Sequence, residues 1–257
     1  MVIWEADFVT EASPASCSGS RPARLREALS GSAGIGSFYR AHLLLVGAGP
    51  GLGSAVARRF ASGGYRVTLV ARSSDGLRDL VGDLSDTGAE IATIAADASD
   101  PESLGARMTE LYRGEGAPGV IIYNAVVGAP DQLLSASVAH LQAAYAVDVI
   151  SAIVVAQVAA PVMKAAGFGT MIATGGGFAD HPIPALATVS LGKAALRSAA
   201  TMLAADLEPD GIRVATLTIA GRIVAGTAFD PVHIAERYWG VVQSDGPWQA
   251  EFRFTGE

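Results

Sequence analysis

The stretch Leu43-Leu-Leu-Val-Gly47-Ala-Gly-Pro-Gly51-Leu-Gly53 runs from a short apolar strand directly into a glycine-rich turn. The residues that follow, 54–60, have the pattern of a helix. Glycines let the backbone turn sharply and approach a phosphate, and a helix N-terminus offers unpaired N–H groups and a partial positive charge. The spacing Gly-x-x-x-Gly-x-Gly thus predicts a site for a dinucleotide pyrophosphate, or else only a tight turn.

From residue 41 onward, apolar runs alternate with helical stretches. Near-continuous apolar strands separated by helices are typical of a parallel sheet covered by helices on both faces. The sequence therefore predicts one doubly wound Rossmann-type α/β domain over residues 41–257. The predicted strands after the first are 66–71, 91–96, 119–123, 170–174, 212–218 and an edge strand at 252–254, and the predicted helices are 54–62, 75–85, 101–112, 138–165 and 187–207.

Composition narrows the class of protein and of partner. The chain has 257 residues, of which 50% are hydrophobic, and a net charge of −7, which argues against nucleic acid as a partner. A single cysteine excludes an intrachain disulfide framework, and the four histidines lack metal-ligand spacing, so no metal site is expected. The absence of a long uncharged apolar run predicts a cytoplasmic protein without a membrane span.

Residues 1–40 differ in composition from the rest of the chain. They are rich in Ser, Ala, Gly and Arg and show no sustained periodicity. Such a segment buries little apolar surface, so we expect an appended, partly disordered N-terminal tail.

Polar residues follow three of the predicted strands, where ligands of doubly wound sheets bind. Arg72 stands where an NAD site usually has a carboxylate, and its guanidinium suits a 2′-phosphate, which favours NADP(H); a solvated arginine is the alternative. Asp97 can accept a hydrogen bond from the adenine amino group, or it can simply belong to the turn before the next helix. Asn124 can brace neighbouring strand ends.

Together these motifs resemble the short-chain dehydrogenase/reductase family over residues 41 to about 254. The matching residues are Gly47-x-x-x-Gly51-x-Gly53, Arg72, Asp97, Asn124-Ala125, Lys193 and Ala220-Gly221. The resemblance implies a seven-stranded parallel sheet, a nicotinamide cofactor, a small-molecule substrate, and a homodimer or homotetramer assembled through helices 138–165 and 187–207. It implies a cofactor site formed by Gly47, Gly49, Gly51, Leu52, Gly53, Arg72, Ser73, Asp97, Ala98, Asn124, Ala125, Lys193 and Ile223.

The catalytic pattern of the family is only partly present. Its Tyr-x-x-x-Lys array reads Val189-Ser-Leu-Gly-Lys193 here, its serine falls at Gly175-Gly176, and its helix asparagine falls at Asp148. No tyrosine lies between Tyr145 and Tyr238, so a shifted alignment does not restore the proton donor. Lys193 can still bind the nicotinamide ribose, but valine transfers no proton.

Several interpretations of this loss remain open. Another group can donate the proton: Asp180 is the first choice, with Asp148 and His181 as alternatives. A reductase of imines or iminium ions needs no acid, and one of the carboxylates can then stabilise the cation. The chain can also be a cofactor-binding pseudoenzyme with a regulatory or scaffolding role, or a cyclase of the same fold.

The segment from 222 to 247 is expected to cover the substrate. Asp230-Pro231 is a helix-start signal, and Ile234, Tyr238, Trp239 and Val242 have helical spacing. These apolar residues form either a core-facing stripe or a lid over an apolar substrate.

Overall fold

The computed structural model describes residues 41–256, so the predicted N-terminal tail lies outside the described residues. Within them the chain alternates strand and helix almost throughout. The strands are β1 (His42–Val46), β2 (Arg66–Ala71), β3 (Ile91–Ala95), β4 (Val120–Tyr123), β5 (Gly169–Gly176), β6 (Ile212–Ile219) and β7 (Glu251–Phe254). The helices are α1 (Leu52–Ser62), α2 (Ser74–Asp83), α3 (Pro101–Glu115), α4 (Val138–Ala166), α5 (Ala187–Leu207) and α6 (Pro231–Gln243).

The seven strands form one parallel sheet in the order β3-β2-β1-β4-β5-β6-β7. This confirms the predicted doubly wound domain. The chain moves outward from β1 to β3 in one direction and from β4 to β7 in the other. The strand order therefore reverses between β1 and β4, and a crevice opens there at the carboxyl ends of the strands.

Both faces of the sheet are buried because the central strands are apolar at most positions. On β1, Leu43 and Leu45 face a core shared with α1, α2 and α6. Leu44 and Val46 face a second core shared with α3, α4 and α5. A strand that is buried on both faces has no polar alternation, which is the pattern that the sequence shows.

Helix α4 contains a π-helical segment, Ala146–Ile150, in its middle. Such π turns occur mostly inside α-helices and are frequent at functional sites. In the described part of the chain, α4 is the one helix long and apolar enough to cross a membrane, but half of its most apolar window is buried in the fold, as in a core helix. The expected cytoplasmic location stays a prediction.

Helix α6 uses its apolar stripe in the core. Ile234, Tyr238 and Val242 are buried against α1 and the sheet. Trp239 packs edge to face on Phe60, with ring centroids 5.3 Å apart. Of the two interpretations of this stripe, the burial of these side chains supports the core-facing one. That residues 222–247 cover the substrate stays a prediction.

Candidate cofactor site and active site

The glycine-rich turn joins β1 to α1 beneath the end of β4. Gly47 has φ +88°, a conformation that L side chains rarely adopt, and a Cβ there would overlap the backbone of Ala125. Its N–H and that of Ala48 donate to the Val70 carbonyl at 2.9 and 3.0 Å. Gly51 precedes α1 without a side-chain cap, so the helix N-terminus keeps donors for an anion.

A cavity of about 520 Å³ lies over the carboxyl ends of β1 to β4. Seven of the predicted cofactor residues line it: Gly47, Gly49, Arg72, Asp97, Ala98, Asn124 and Ala125. The sequence did not single out the apolar lining, which includes Leu104, Val126, Val127 and Val147. Its volume falls in the range of small-molecule and cofactor sites.

Arg72 and Asp97 stand on the open side of this cavity. Arg72 is exposed and makes no ion pair or hydrogen bond with residues 41–256, so its guanidinium is available to a ligand. Asp97 is also exposed, and its carboxylate accepts the Ser99 N–H at 2.9 Å, so part of it serves the local turn. Ser73, also predicted here, caps α2 by accepting the Gly76 N–H at 3.1 Å.

Asn124 connects the ends of β1 and β5. Its side-chain amide donates to the Gly47 carbonyl at 3.0 Å, and its Oδ1 accepts the Thr174 hydroxyl at 2.9 Å. The Thr174 hydroxyl also lies 2.7 Å from the Tyr238 hydroxyl, which therefore donates to it. This chain of hydrogen bonds fixes the backbone of the glycine turn from below.

Lys193 and Asp148 form a buried pair of ionisable groups behind the cavity. Lys193 Nζ donates to the Thr174 carbonyl at 2.6 Å, and burial lowers its pKa to about 8 although Asp148 acts in the opposite direction. Asp148 is 3% exposed; burial raises its pKa to about 6, against the hydrogen bond from Val127 and the charge of Lys193. Its Oδ1 accepts the Val127 N–H at 2.8 Å, while Oδ2 is buried without a hydrogen-bond partner.

The two positions at which the family has its tyrosine and serine, Val189 and Gly175-Gly176, carry no proton-transfer group here. Val189 is buried on α5, four residues before Lys193. Gly176 ends β5, and a Cβ added there would sit 3.5 Å from Lys193 Cγ, which is ordinary contact. The backbone at residue 176 therefore has room for a Cβ, but glycine carries no side chain there.

Asp180 is held in a cluster of four charged groups. It pairs with Arg197 at 2.7 Å and with Arg253, and Glu251 pairs with the same two arginines at 3.2 and 3.1 Å. Hydrogen bonds from Arg197 and Arg253 keep the pKa of Asp180 far below its usual range. Asp180 therefore does not suit the proton-donor role expected from its position, and the two guanidinium groups neutralise the charge that it would offer to a cation.

Two further predicted residues lie outside this arrangement. His181 is exposed on the loop that joins β5 to α5, and its N–H donates to the Gly177 carbonyl at 2.9 Å. Ile223 is 38% exposed on the loop after β6 and does not line the 520 Å³ cavity. Among residues 41–256 no group of three His, Cys, Asp or Glu side chains could hold a metal ion.

A third polar cluster, formed by Asp131, His140 and Thr188, was not found from the sequence. Asp131 lies between β4 and α4, His140 on α4 and Thr188 in the first turn of α5. Asp131 Oδ2 is 2.9 Å from His140 Nε2, and Oδ1 accepts the Thr188 N–H at 3.1 Å. Asp131 and Thr188 are 57 positions apart, and no motif in the sequence connects them.

Comparison with known proteins agrees with this geometry. Residues 41–227 match the family model for short chain dehydrogenases. A very-long-chain 3-oxoacyl-CoA reductase of Podospora anserina is 30% identical over 178 residues, which are 66% of this chain and 52% of that enzyme. An uncharacterized oxidoreductase of Mycobacterium tuberculosis is 29% identical over 181 residues, which are 69% of this chain and 72% of that protein.

Solved structures show the same architecture. A metagenomic short-chain oxidoreductase in complex with NADP superposes with a TM-score of 0.75 at 27% identity, covering 85% of this chain and all of that one. An L-sorbose reductase of Gluconobacter frateurii, complexed with NADPH and L-sorbose, gives a TM-score of 0.68 at 27% identity over 72% of this chain and 70% of that one. By its family match, its sheet and its dinucleotide turn, this chain belongs to the short-chain dehydrogenase family of oxidoreductases.

Proposed function

We propose that the chain is an NADPH-dependent reductase with a non-standard active site. It acts on a small apolar substrate that carries a carbonyl group or a carbon–nitrogen double bond. The observation that carries the proposal is the buried pair of ionisable groups Lys193 and Asp148, which lies beside the cavity because Asp148 accepts the N–H of Val127, a residue of its lining. Perturbed ionisable groups beside a cleft are typical of functional sites.

The residues around the cavity fit the chemical parts of NADPH. Gly49 and Gly51 have open space where a Cβ would point, so backbone and phosphate can approach each other. Arg72 is free to pair with the 2′-phosphate, and Asp97 with the adenine. Lys193 would bind the nicotinamide ribose in exchange for the Thr174 carbonyl. When bound, the cofactor supplies the hydride that the protein itself lacks.

The lack of a hydroxyl at Val189 bears on the substrate. An iminium ion accepts hydride and becomes an amine without a proton from the enzyme, and a nearby carboxylate stabilises its charge. Asp148 suits this role better than Asp180, because within residues 41–256 its Oδ2 has no hydrogen-bond partner and the Lys193 ammonium is the one cation that acts on it, whereas Asp180 pairs with two guanidinium groups. A carbonyl substrate needs a proton as well, and the named similarity to a 3-oxoacyl-CoA reductase and to L-sorbose reductase supports that class.

A cofactor-binding pseudoenzyme is the second candidate, since Val189 is buried and offers no chemistry. A complete cofactor cavity would then serve regulation or scaffolding. The cyclase alternative would use the same site and predicts conversion of substrate without oxidation of NADPH.

We also propose a homodimer or homotetramer built on α4 and α5. Both helices expose apolar side chains that a partner copy would cover, including Ile150, Leu191 and Met202. Exposed apolar patches of this kind on a soluble fold mark interaction sites.

NADPH oxidation against a panel of cyclic imines and ketones tests the proposed function. We expect turnover of at least one substrate, lost together with NADPH affinity in Lys193→Ala. Tight NADPH binding without turnover of any substrate would support the pseudoenzyme instead.

A further inference from the structure

The first turn of α5 is capped by a residue from another loop. Leu186, at the N-cap position, gives no side-chain hydrogen bond to the helix. Asp131 supplies it instead: its carboxylate accepts both the backbone N–H and the hydroxyl of Thr188. A carboxylate at a helix N-terminus satisfies unpaired donors and interacts favourably with the helix dipole.

The backbone around Asp131 strengthens this connection. The Asp131 N–H donates to the Ala185 carbonyl at 3.0 Å, and Asp131 forms an isolated parallel bridge with Leu186. The loop after β4 and the segment that enters α5 are therefore joined by side-chain and backbone bonds at the same point.

His140 holds the other side of the carboxylate. Hydrogen bonds from Thr188 and His140 lower the pKa of Asp131 to about 2, so the group is ionised and acts only as an acceptor. His140 Nε2 must therefore carry the hydrogen. Asp131 has a side chain only 7% exposed, whereas that of His140 is 35% exposed, so the imidazole shields the carboxylate from solvent.

We propose that Asp131 is a positioning residue for Lys193. Lys193 lies five residues after Thr188 on the same helix, and Asp131 fixes the start of that helix relative to the loop that follows β4. The same loop contributes Val127, which is bound to Asp148, so one loop anchors both members of the buried pair. The proposal rests on the proposed function to the extent that Lys193 binds the NADPH ribose.

Four variants separate the positioning role from ordinary stability. Asp131→Ala removes the cap, and Thr188→Val removes the hydroxyl but keeps the backbone donor. Asp131→Asn keeps the size and lets the amide serve the same partners if His140 shifts its hydrogen to Nδ1, which the ring ¹⁵N chemical shifts report. Asp86→Asn, which removes an exposed partner of Arg58 far from α5, is the control for loss of one carboxylate.

Hydrogen exchange of α5 and NADPH affinity are measured together on the folded variants. In Asp131→Ala we expect faster hydrogen exchange over residues 187–193 but not over 198–207, together with NADPH binding at least tenfold weaker. Thr188→Val should have an intermediate effect on both quantities. Asp131→Asn should restore both in part. Unchanged exchange, or faster exchange with NADPH affinity within twofold of the wild type, overturns the positioning role.

The test still decides if Asp131→Ala does not fold or if the wild type binds no NADPH. If Asp131→Ala does not fold, Thr188→Val and Asp131→Asn carry the comparison, and wild-type values in both overturn the proposal. If the wild type binds no NADPH, the proposed function fails, and hydrogen exchange together with the pH titration of Lys193 decides whether Asp131 positions that residue.

Discussion

Gly192 packs so closely on Asp148 that a Cβ at residue 192 would lie 2.7 Å from Asp148 Cβ and 2.8 Å from Oδ2. The glycine that precedes Lys193 therefore makes room for the buried carboxylate. An aspartate on the π-helical segment of α4 and a glycine on α5 form one structural unit, and neither is explained without the other.

Replacing that glycine should be costly only while residue 148 carries a Cβ. Gly192→Ala should lower the free energy of unfolding by about 1–3 kcal/mol, because the added methyl group forces the Asp148 side chain and its backbone to move. In the double variant with Asp148→Gly, which removes the Cβ at residue 148, the two losses should be less than additive. Gly82→Ala on α2 is the control, since no atom lies within 4 Å of its Cβ position. Additive losses in chemical denaturation would show that the two residues are independent.

Asp148 should make stability depend on pH. Its folded pKa of about 6 lies above the ordinary value of 3.8, so the folded chain binds the proton more tightly than the unfolded chain. This contribution is present below pH 4 and is lost as the pH rises through 6, by about 1–3 kcal/mol in all. Asp148→Asn should remove that slope. Denaturant titrations between pH 4 and 6.5 measure the free energy of unfolding of the wild type and of Asp148→Asn. An equal dependence on pH in the two proteins would contradict the raised pKa of Asp148.

Arg72 should determine the choice of cofactor. Arg72→Glu should weaken NADPH binding by about 1.5–3 kcal/mol, the size of a hydrogen bond to a charged group, while NADH binding stays equal or improves. Arg78→Glu, on the exposed side of α2 and paired with Asp75, controls for charge reversal. Calorimetric titration of both cofactors measures the ratio, and equal weakening of both would mean that Arg72 does not contact the phosphate.

Asp180 should matter for stability and not for proton transfer. Asp180→Asn breaks the ion pairs with Arg197 and Arg253, so the unfolding temperature should fall. The pH profile of turnover should stay the same, and the rate should not fall by the factor of roughly 10²–10⁴ that is expected when a general acid is removed. A profile that loses one limb in Asp180→Asn restores the role first expected from its sequence position.

Most of the fold could be predicted from local patterns. Apolar runs such as the one that forms β5 and the alanine-rich stretch of α5 specify their secondary structure without knowledge of their partners. The glycine turn and the residues after β2, β3 and β4 could also be placed, because parallel strands end at one edge of the sheet. The core role of Tyr238 was one of two interpretations, since helical spacing does not show which surface the stripe meets.

The contacts that decide the roles of individual groups could not be predicted. The position of Asp180 after β5 predicts a proton donor, but its pKa depends in part on Arg253, which lies 73 residues later on β7. Asp131 has no motif around it, and its function depends on a helix that begins 56 residues later. Side-chain partners across such separations follow from tertiary packing, which a single sequence does not display.

The proposed function requires that hydride passes from NADPH to a substrate in a site with valine at residue 189. Its most direct measurement uses NADPH that carries deuterium at both C4 positions, incubated with the protein and with cyclic imines or ketones, followed by mass spectrometry of the products. We predict one deuterium in the product of at least one substrate, retained in Asp180→Asn and absent in Lys193→Ala. Unlabelled substrates recovered from a protein that binds NADPH tightly would contradict the claim.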